Sequence, residues 1–331
     1  MTQARTLRVA AVQTESLNGE VANNLKRAER WVARAAAEGA RLVLCPEFLA
    51  AGYVYSESIW DAGEPRGGPT ETWLRRLASK HGIHLGATYL EADGDDFFNT
   101  FALAGPDGRI VGRIRKESLP AYEGWYFKSC PEPKLIESEL GRISVGICQD
   151  NHTARFFERV MKDEPDLILM PHSAPCAPLI ASVMRDNLAE IAPYYARAFG
   201  VPVVLVNKAR SACRTPLPGL PLVRLRFEFP GLSSICDGDG RIVKQLPDEE
   251  GVIVGDVQLD PERKRRPAAP THRYWSRPPR VFPRMFGTFF ILMERLGKRA
   301  YAKNPARAAA ARAVERPRPD SAPSELDYSQ E

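Results

Sequence analysis

The run Arg142-Ile143-Ser144-Val145-Gly146-Ile147-Cys148 is followed at once by the polar residues Gln149-Asp150-Asn151. Apolar and β-branched residues in this run predict a buried strand that ends at the cysteine. In layered α/β folds, ligands bind at the carboxyl ends of such strands. We therefore treat Cys148 as a candidate nucleophile, although a free cysteine is more often an ordinary buried core residue.

Two further predicted strands end on a charged side chain. Residues 41–45 lead to Glu47, and Pro46 fits only at the strand's end because proline donates no ladder hydrogen bond. Residues 109–116 deliver Lys116 in the same way. A lone Glu or Lys at such a position is most often a solvated strand end. Three strand ends that carry Glu, Lys and Cys instead favour one shared site.

The chemistry of these three side chains fits a hydrolytic centre. A thiol attacks a carbonyl or nitrile carbon only as the thiolate, and a free cysteine is mostly protonated at neutral pH. A carboxylate such as Glu47 can take that proton, and an ammonium such as Lys116 lowers the thiol's pKa. The ammonium also stabilises negative charge that develops on the substrate, so no histidine is required.

Three motifs occur in a fixed order along the chain: Cys45-Pro46-Glu47-Phe48, Arg115-Lys116-Glu117-Ser118-Leu119-Pro120 and Gly146-Ile147-Cys148-Gln149-Asp150. Together they resemble the motifs of the nitrilase superfamily of carbon–nitrogen hydrolases, over about residues 6 to 260. The resemblance implies an α/β fold of the four-layer α-β-β-α sandwich type and a homodimer or higher homo-oligomer. It also implies a small-molecule substrate (an amide, a carbamoyl compound or a nitrile) and no cofactor.

Members of this superfamily have a second glutamate after the lysine, which orients the lysine or the substrate. Glu123 is the best match, and the alternative is an exposed loop acid. We also assign substrate contacts to four residues, namely Gln149, His152, His172 and Tyr53. Both histidines follow predicted strand ends near the nucleophile, but each could equally be a polar residue at the rim of the sheet.

The type of bond that is cleaved is less well determined by the sequence. Asp150 is typical of amidase and carbamoylase branches, whereas Asn151 resembles a nitrilase pattern. No arginine follows the nucleophile where carbamoylases of amino acids carry one, so an N-carbamoyl amino acid is a doubtful substrate. We predict hydrolysis of an amide or N-carbamoyl compound through a thioester on Cys148. Nitrilase activity, amide-forming acyl transfer at a membrane, and a catalytically silent binding protein remain alternatives.

Composition favours an ordinary cytoplasmic enzyme. The 331 residues are 44% hydrophobic, which is enough for one large α/β domain. No segment reaches the ~18 apolar residues that span a membrane, and no apolar signal-peptide region follows Met1. Six cysteines without disulfide or metal spacing predict reduced thiols. Five histidines without ligand spacing predict no metal site.

Strands and helices alternate along the first 260 residues, which predicts a layered α/β domain. Besides residues 142–148, predicted strands are 7–13, 42–45, 83–89, 99–104, 109–116, 167–170, 201–207, 232–236 and 252–256. Predicted helices are 20–37, 70–80, 154–162 and 187–199.

The last seventy residues differ in charge from the rest. From residue 261 onward there are 16 Lys and Arg against 7 Asp and Glu. Residues 261–303 form a predicted basic extension that includes a helix over 285–302. Its apolar side chains recur at helical spacing: Phe286, Phe289, Phe290, Met293 and Leu296.

We favour packing of this stripe on the catalytic domain. Contact with a partner subunit and with an anionic membrane surface are the alternatives. No nucleic-acid-binding motif accompanies the charge, so nucleic acid is not a predicted partner. Residues 304–331 are rich in Ala, Arg, Pro and Ser, and we predict that they are disordered.

Overall fold

The computed structural model describes residues 4–218 and 220–315. Within these residues the chain forms fourteen strands and six α-helices. The strands are β1 (Arg5–Gln13), β2 (Leu42–Leu44), β3 (His84–Asp93), β4 (Asp96–Ala104), β5 (Ile110–Arg115), β6 (Leu135–Ser138), β7 (Gly141–Val145), β8 (Leu167–Pro171), β9 (Val203–Val206), β10 (Ala212–Leu217), β11 (Leu220–Glu228), β12 (Ser234–Cys236), β13 (Ile242–Gln245) and β14 (Gly251–Leu259). The helices are α1 (Val21–Ala37), α2 (Pro69–His81), α3 (Ala154–Asp163), α4 (Ala181–Phe199), α5 (Pro283–Lys303) and α6 (Pro305–Glu315).

Twelve of these strands form two six-stranded sheets that face each other. The first sheet has the order β14-β1-β2-β3-β4-β5, and the second has the order β13-β12-β9-β8-β7-β6. Each contains three adjacent parallel strands, β1-β2-β3 and β7-β8-β9. Between the sheets, Val9 and Leu44 belong to the same buried cluster as Val145 and Val206. This shared apolar layer is the main core of the protein.

Helices cover the outer face of each sheet. Ala28 of α1 and Leu74 of α2 are buried in one cluster with Val43 of the first sheet. Val160 of α3 and Ile191 of α4 are buried in another cluster with residues of the second sheet. The predicted four-layer α-β-β-α sandwich is therefore confirmed.

Four strands were absent from the sequence prediction, namely β6, β10, β11 and β13. Strands β10 and β11 form a separate two-stranded antiparallel ribbon outside both large sheets. Helix α4 begins at Ala181, six residues before its predicted start, and contains Pro193. The other predicted elements of the first 260 residues match observed strands or helices, with ends shifted by a few residues.

The C-terminal helices pack against the domain, and the most buried residues of α5 lie outside the predicted stripe, of which Phe286, Phe290 and Met293 are half-buried. Its buried residues are Gly287, Glu294, Gly297 and Tyr301. Gly297 lies against Gly124 so closely that an added Cβ atom would approach the Gly124 backbone to 2.7 Å. Phe289 and Leu296, which were expected to be buried, are 38% and 42% exposed. Close contact between two glycines thus decides which face of α5 is buried.

Residues 304–331 were predicted to be disordered, but the first part of this segment is helical in the structure. Residues Pro305–Glu315 form helix α6. Arg307 binds Asp96 at 2.6 Å, and Arg312 binds Asp95 at 2.6 Å, which ties α6 to the turn between β3 and β4. The remaining tail, residues 316–331, lies outside the described residues. Among the helices that the structure describes, none is long and apolar enough to cross a bilayer.

Gly146 lies between β7 and the cysteine, and it leaves no room for a side chain. A Cβ atom there would lie 2.6 Å from the Phe156 ring and would overlap the side-chain oxygen of Asn151. We expect Gly146→Ala to lower the free energy of unfolding by about 1–3 kcal/mol, because the added methyl overpacks a closed turn. Urea unfolding of the variant measures this loss. Unchanged stability would show that the turn can relax at no cost.

Candidate active site

Three strand ends bring the predicted catalytic side chains together. Glu47 follows β2, Lys116 follows β5, and Cys148 follows β7. Lys116 Nζ donates hydrogen bonds to Glu47 Oε1 and to Glu123 Oε2, each at 2.7 Å. Glu47, Lys116 and Glu123 are fully buried, and Cys148 is 7% exposed. Glu123 is therefore a buried partner of the lysine and not an exposed loop acid.

Glu47 is held so that only one of its carboxylate oxygens is paired. Asn99 Nδ2 donates to Oε1 at 2.7 Å, beside the bond from Lys116. The backbone N–H of Glu47 donates to the carbonyl oxygen of His172 at 3.1 Å. The second oxygen, Oε2, is buried and has no hydrogen-bond partner among the described residues. This oxygen is available to accept a proton.

Cys148 is the first residue of a short 3₁₀ turn, and its backbone is strained. Its φ is +49°, a value that non-glycine residues seldom adopt and that tends to occur at functional sites. Burial and the carboxylate of Glu47 raise the pKa of the thiol, and they outweigh Lys116 and a hydrogen bond from the backbone of Ser173. The sulfur is therefore a neutral thiol in the resting protein, and it needs a base before it can attack.

Lys116 stays charged in this buried position. Burial alone would lower the pKa of its ammonium group, but the neighbouring carboxylates of Glu123 and Glu47 outweigh burial and raise it. Glu123 also accepts a hydrogen bond from the hydroxyl of Tyr53 at 3.2 Å. Burial raises the pKa of Glu123 to about 7, although Lys116 opposes this shift.

The raised pKa of Glu123 predicts a pH dependence of stability. The folded protein keeps the Glu123 proton up to about pH 7, whereas the unfolded chain releases it near 4.5. The folded state then binds more protons between these values, so this group's contribution to stability falls as pH rises through that window. Urea unfolding from pH 4.5 to 8 measures this fall in the free energy of unfolding. In Glu123→Gln the pH-dependent contribution of this group to stability should be absent. If the free energies of unfolding of the two proteins change with pH in parallel, the raised pKa is not that of Glu123.

Asp150 connects the nucleophile turn to the loop that carries the lysine. Its carboxylate accepts hydrogen bonds from the backbone N–H groups of Ser118 at 2.7 Å, Ile147 at 3.2 Å and Glu117 at 3.3 Å. The sequence around Asp150 resembles amidase branches but does not indicate this role. Three backbone donors on one buried carboxylate fix the spacing between Lys116 and Cys148.

A cavity of about 350 Å³ opens beside the sulfur of Cys148. Three of the four predicted substrate contacts line it, namely Tyr53, Gln149 and His152. Gln149 donates from Nε2 to the hydroxyl of Tyr274 at 3.1 Å. Burial lowers the pKa of His152 to about 4, so this ring is neutral at physiological pH.

His172, the fourth predicted contact, is not among the residues that line this cavity. Its ring is fully buried and lies behind His152, with ring centroids 5.8 Å apart. Its Nε2 lies 2.9 Å from the amide nitrogen of Asn151, which also donates to the carbonyl oxygen of Gly146 at 2.7 Å. His172 therefore supports the nucleophile turn instead of facing the cavity.

A large apolar part of the cavity wall comes from three elements whose role the sequence did not indicate. These elements are α4, the ribbon strand β11 and the C-terminal helix α5. Their apolar lining side chains are Val183, Met184 and Leu188 from α4, Leu225 and Phe227 from β11, and Phe286, Phe289 and Phe290 from α5. Helical spacing identified the phenylalanines of α5 as an apolar stripe on a helix. No local feature of the sequence indicated that they lie near Cys148.

Comparison with known proteins identifies the family. The family model of carbon-nitrogen hydrolases matches residues 8–266. The chain belongs to the carbon–nitrogen hydrolase family. It is 25% identical over 259 residues to N-carbamoylputrescine amidase of Arabidopsis thaliana, covering 75% of this chain and 85% of that protein. It is 27% identical over 214 residues to citrullinase of Francisella tularensis, covering 61% and 74% respectively.

The fold comparison agrees with this family. The crystal structure of a carbon-nitrogen hydrolase from Helicobacter pylori superposes with a TM-score of 0.68 at 19% identity, covering 78% of this chain and 90% of that chain. The recognition of the nitrilase superfamily from three motifs is thereby confirmed. As a carbon–nitrogen hydrolase with amidase-type relatives, the protein acts on C–N bonds other than peptide bonds.

The region that matches the family model ends at residue 266, and some residues near Cys148 come later in the chain. Residues 274–276 lie beyond this region, yet they form hydrogen bonds with the segment that follows Cys148 in this carbon–nitrogen hydrolase. The backbone N–H of Ala154 donates to the carbonyl of Tyr274 at 2.8 Å, and that of Ser276 donates to the carbonyl of His152 at 2.9 Å. The C-terminal extension is thus joined directly to the active-site turn.

Proposed function

We propose that the protein hydrolyses an amide or N-carbamoyl compound through a thioester on Cys148, with Glu47 as base and Lys116 as electrostatic stabiliser. The observation that carries the proposal is the unpaired, buried Glu47 Oε2 in a group whose other carboxylate oxygen is held by Lys116. A base that is fixed at one oxygen and open at the other is suited to repeated proton transfer.

In the first half of the reaction, Glu47 Oε2 takes the thiol proton and the sulfur attacks the amide carbon. Negative charge then develops on the substrate oxygen. The ammonium of Lys116 stabilises it together with the backbone N–H of Gln149, which lies in the first turn of a 3₁₀ helix where N–H groups lack intrahelical partners. Glu47 passes its proton to the leaving nitrogen, and ammonia or an amine departs.

In the second half, Glu47 takes a proton from a water molecule that attacks the thioester carbon. The C–S bond breaks, the acid is released, and the proton returns to the sulfur of Cys148. The high pKa of the thiol favours this return, since burial makes the neutral form the resting state. Glu123 holds the lysine from the opposite side through its bond to Nζ. Assembly as a homo-oligomer and a cytoplasmic location stay predictions.

The proposal is tested by ammonia and amine release from a panel of uncharged amides, N-carbamoyl compounds and nitriles. Intact-protein mass spectrometry after rapid acid quenching provides a second readout. We expect release from amides or carbamoyl compounds and a mass increase equal to the acyl group. Release from nitriles alone would replace the amidase assignment with a nitrilase one. No release and no adduct from any member would refute the thioester mechanism.

A further inference from the structure

The cavity beside Cys148 has a chemical character that the family assignment does not specify. Among the residues that the structure describes, those that line the cavity carry no carboxylate, ammonium or guanidinium group. Apart from Gln149, His152, Asn187 and the tyrosines near the sulfur, they are aliphatic, aromatic or sulfur-containing. Its volume of about 350 Å³ is in the range of pockets that enclose a small organic molecule.

The side chains at the apolar end of this cavity are held in place by contacts with neighbouring residues. The ring of Phe290 stacks on that of Tyr274, with centroids 6.0 Å apart and planes 7° from parallel. Trp275 Nε1 donates to the carbonyl of Pro283 at 2.9 Å, which fixes the start of α5. Phe289 both lines the cavity and is 38% exposed, so the cavity extends from the sulfur to the protein surface at α5.

An ionic substrate group would have no partner at this end. Burying an ammonium or carboxylate without an opposite charge is costly, whereas burying a methylene group is favourable by about 0.8 kcal/mol. Among the polar lining side chains, Gln149 follows Cys148 in the chain, Asn187 Nδ2 lies 3.2 Å from His152 Nδ1, and Tyr53 donates to Glu123. The shape and chemistry therefore match a molecule with one polar end and one apolar end.

We propose that the substrate is an uncharged amide that carries an extended apolar group, such as a medium-length alkyl chain, and that α5 forms the part of the site that selects it. This inference rests on the proposed function, because the amide must lie at Cys148. The apolar group then lies between α4, β11 and α5, in contact with Val183, Phe227 and Phe286.

The test is a chain-length series measured with the full-length protein. Straight-chain primary amides from propanamide to octanamide place the apolar group on the acyl side, and N-alkylacetamides place it on the amine side. Each added methylene should raise kcat/KM about fourfold, and the five methylenes between propanamide and octanamide on the order of 1,000-fold, in one of the two sets. Cys148→Ala provides the background rate.

A pair of neighbouring variants tests the location of the apolar group. Val183 lines the cavity, whereas Ser182 is exposed and does not line it. We expect Val183→Phe to lower the ratio of kcat/KM for octanamide to that for propanamide at least tenfold, since the larger ring fills space that the chain needs. The same ratio should be unchanged in Ser182→Phe.

The outcomes separate this inference from the proposed function. Cys148-dependent release that is flat or falls with chain length in both sets would overturn the apolar-substrate assignment and leave the hydrolase intact. Cys148-dependent release that is faster from charged amides than from uncharged ones would also overturn the apolar-substrate assignment and leave the hydrolase intact. Release that is absent from every amide would overturn the proposed function and this inference with it.

Discussion

Replacing Cys148 with alanine is expected to reduce kcat by on the order of 10⁵-fold or more, because no other group forms the covalent intermediate. The fold should be retained. The side chain loses only its sulfur, and Asp150 and Asn151 still hold the turn through their own hydrogen bonds. Product release under saturating substrate measures the first effect, and thermal unfolding measures the second.

Cys236→Ala is the matched control for this variant. Cys236 is also a fully buried free thiol, but it lies in the cluster between the second sheet and its covering helices. We expect nearly full kcat in this control, so that loss of a thiol as such is separated from loss of the nucleophile. Turnover that persists in Cys148→Ala at more than a few per cent would end the assignment of Cys148.

Replacing Lys116 with methionine should abolish turnover and also destabilise the fold. Two fully buried carboxyl groups, Glu47 and Glu123, would lose their common partner. Removing one member of a buried ion pair typically costs about 3–5 kcal/mol. Thermal unfolding near pH 8 should show a fall in Tm of roughly 4–7 °C, given an unfolding entropy of about 2.1 cal/mol/K per residue in a chain of 331 residues. A Tm equal to that of the wild type would show that the carboxyl groups need no counter-charge.

The sign of the pH effect distinguishes electrostatics from lost packing in this variant. Without the ammonium, the pKa of Glu123 should rise above its value of about 7 in the intact site. Its neutral form should then dominate at lower pH, so the stability deficit should be smaller at pH 5.5 than at pH 8. The double variant Lys116→Met/Glu123→Gln should regain part of the loss at pH 8. A deficit that is independent of pH would indicate lost packing alone.

The clustering of Glu47, Lys116 and Cys148, the proposed catalytic residues, was predictable because each follows a strand with a strong local signal. The apolar runs before Glu47, Lys116 and Cys148 identify three strands, and the carboxyl ends of strands meet at one edge of the layered fold. Asn99 was missed, although it lies among the apolar residues of β4, where a lone amide is unusual. Its function became visible only with its 2.7 Å bond to Glu47.

The substrate-facing part of the site was not predictable from local sequence. Prolines 216 and 218 and several arginines mask the strands of the β10–β11 ribbon, because proline and exposed charge both weaken the strand pattern. Helical spacing showed that α5 is a helix but not which side packs, since that depends on contact between Gly124 and Gly297, far apart in sequence. His172 follows a strand end as expected, but the neighbouring turn covers its ring.

The proposed catalytic residues lie in the region matched by the family model, whereas part of the cavity wall lies beyond that region. The family match ends at residue 266, whereas Trp275, Phe286, Phe289 and Phe290 of the cavity wall lie beyond it. Mutations in this extension can alter selectivity during evolution without touching the residues that make and break bonds. Two homologues with identical catalytic motifs can therefore differ in substrate, and transfer of a substrate name between them is safe only when their C-terminal extensions also correspond.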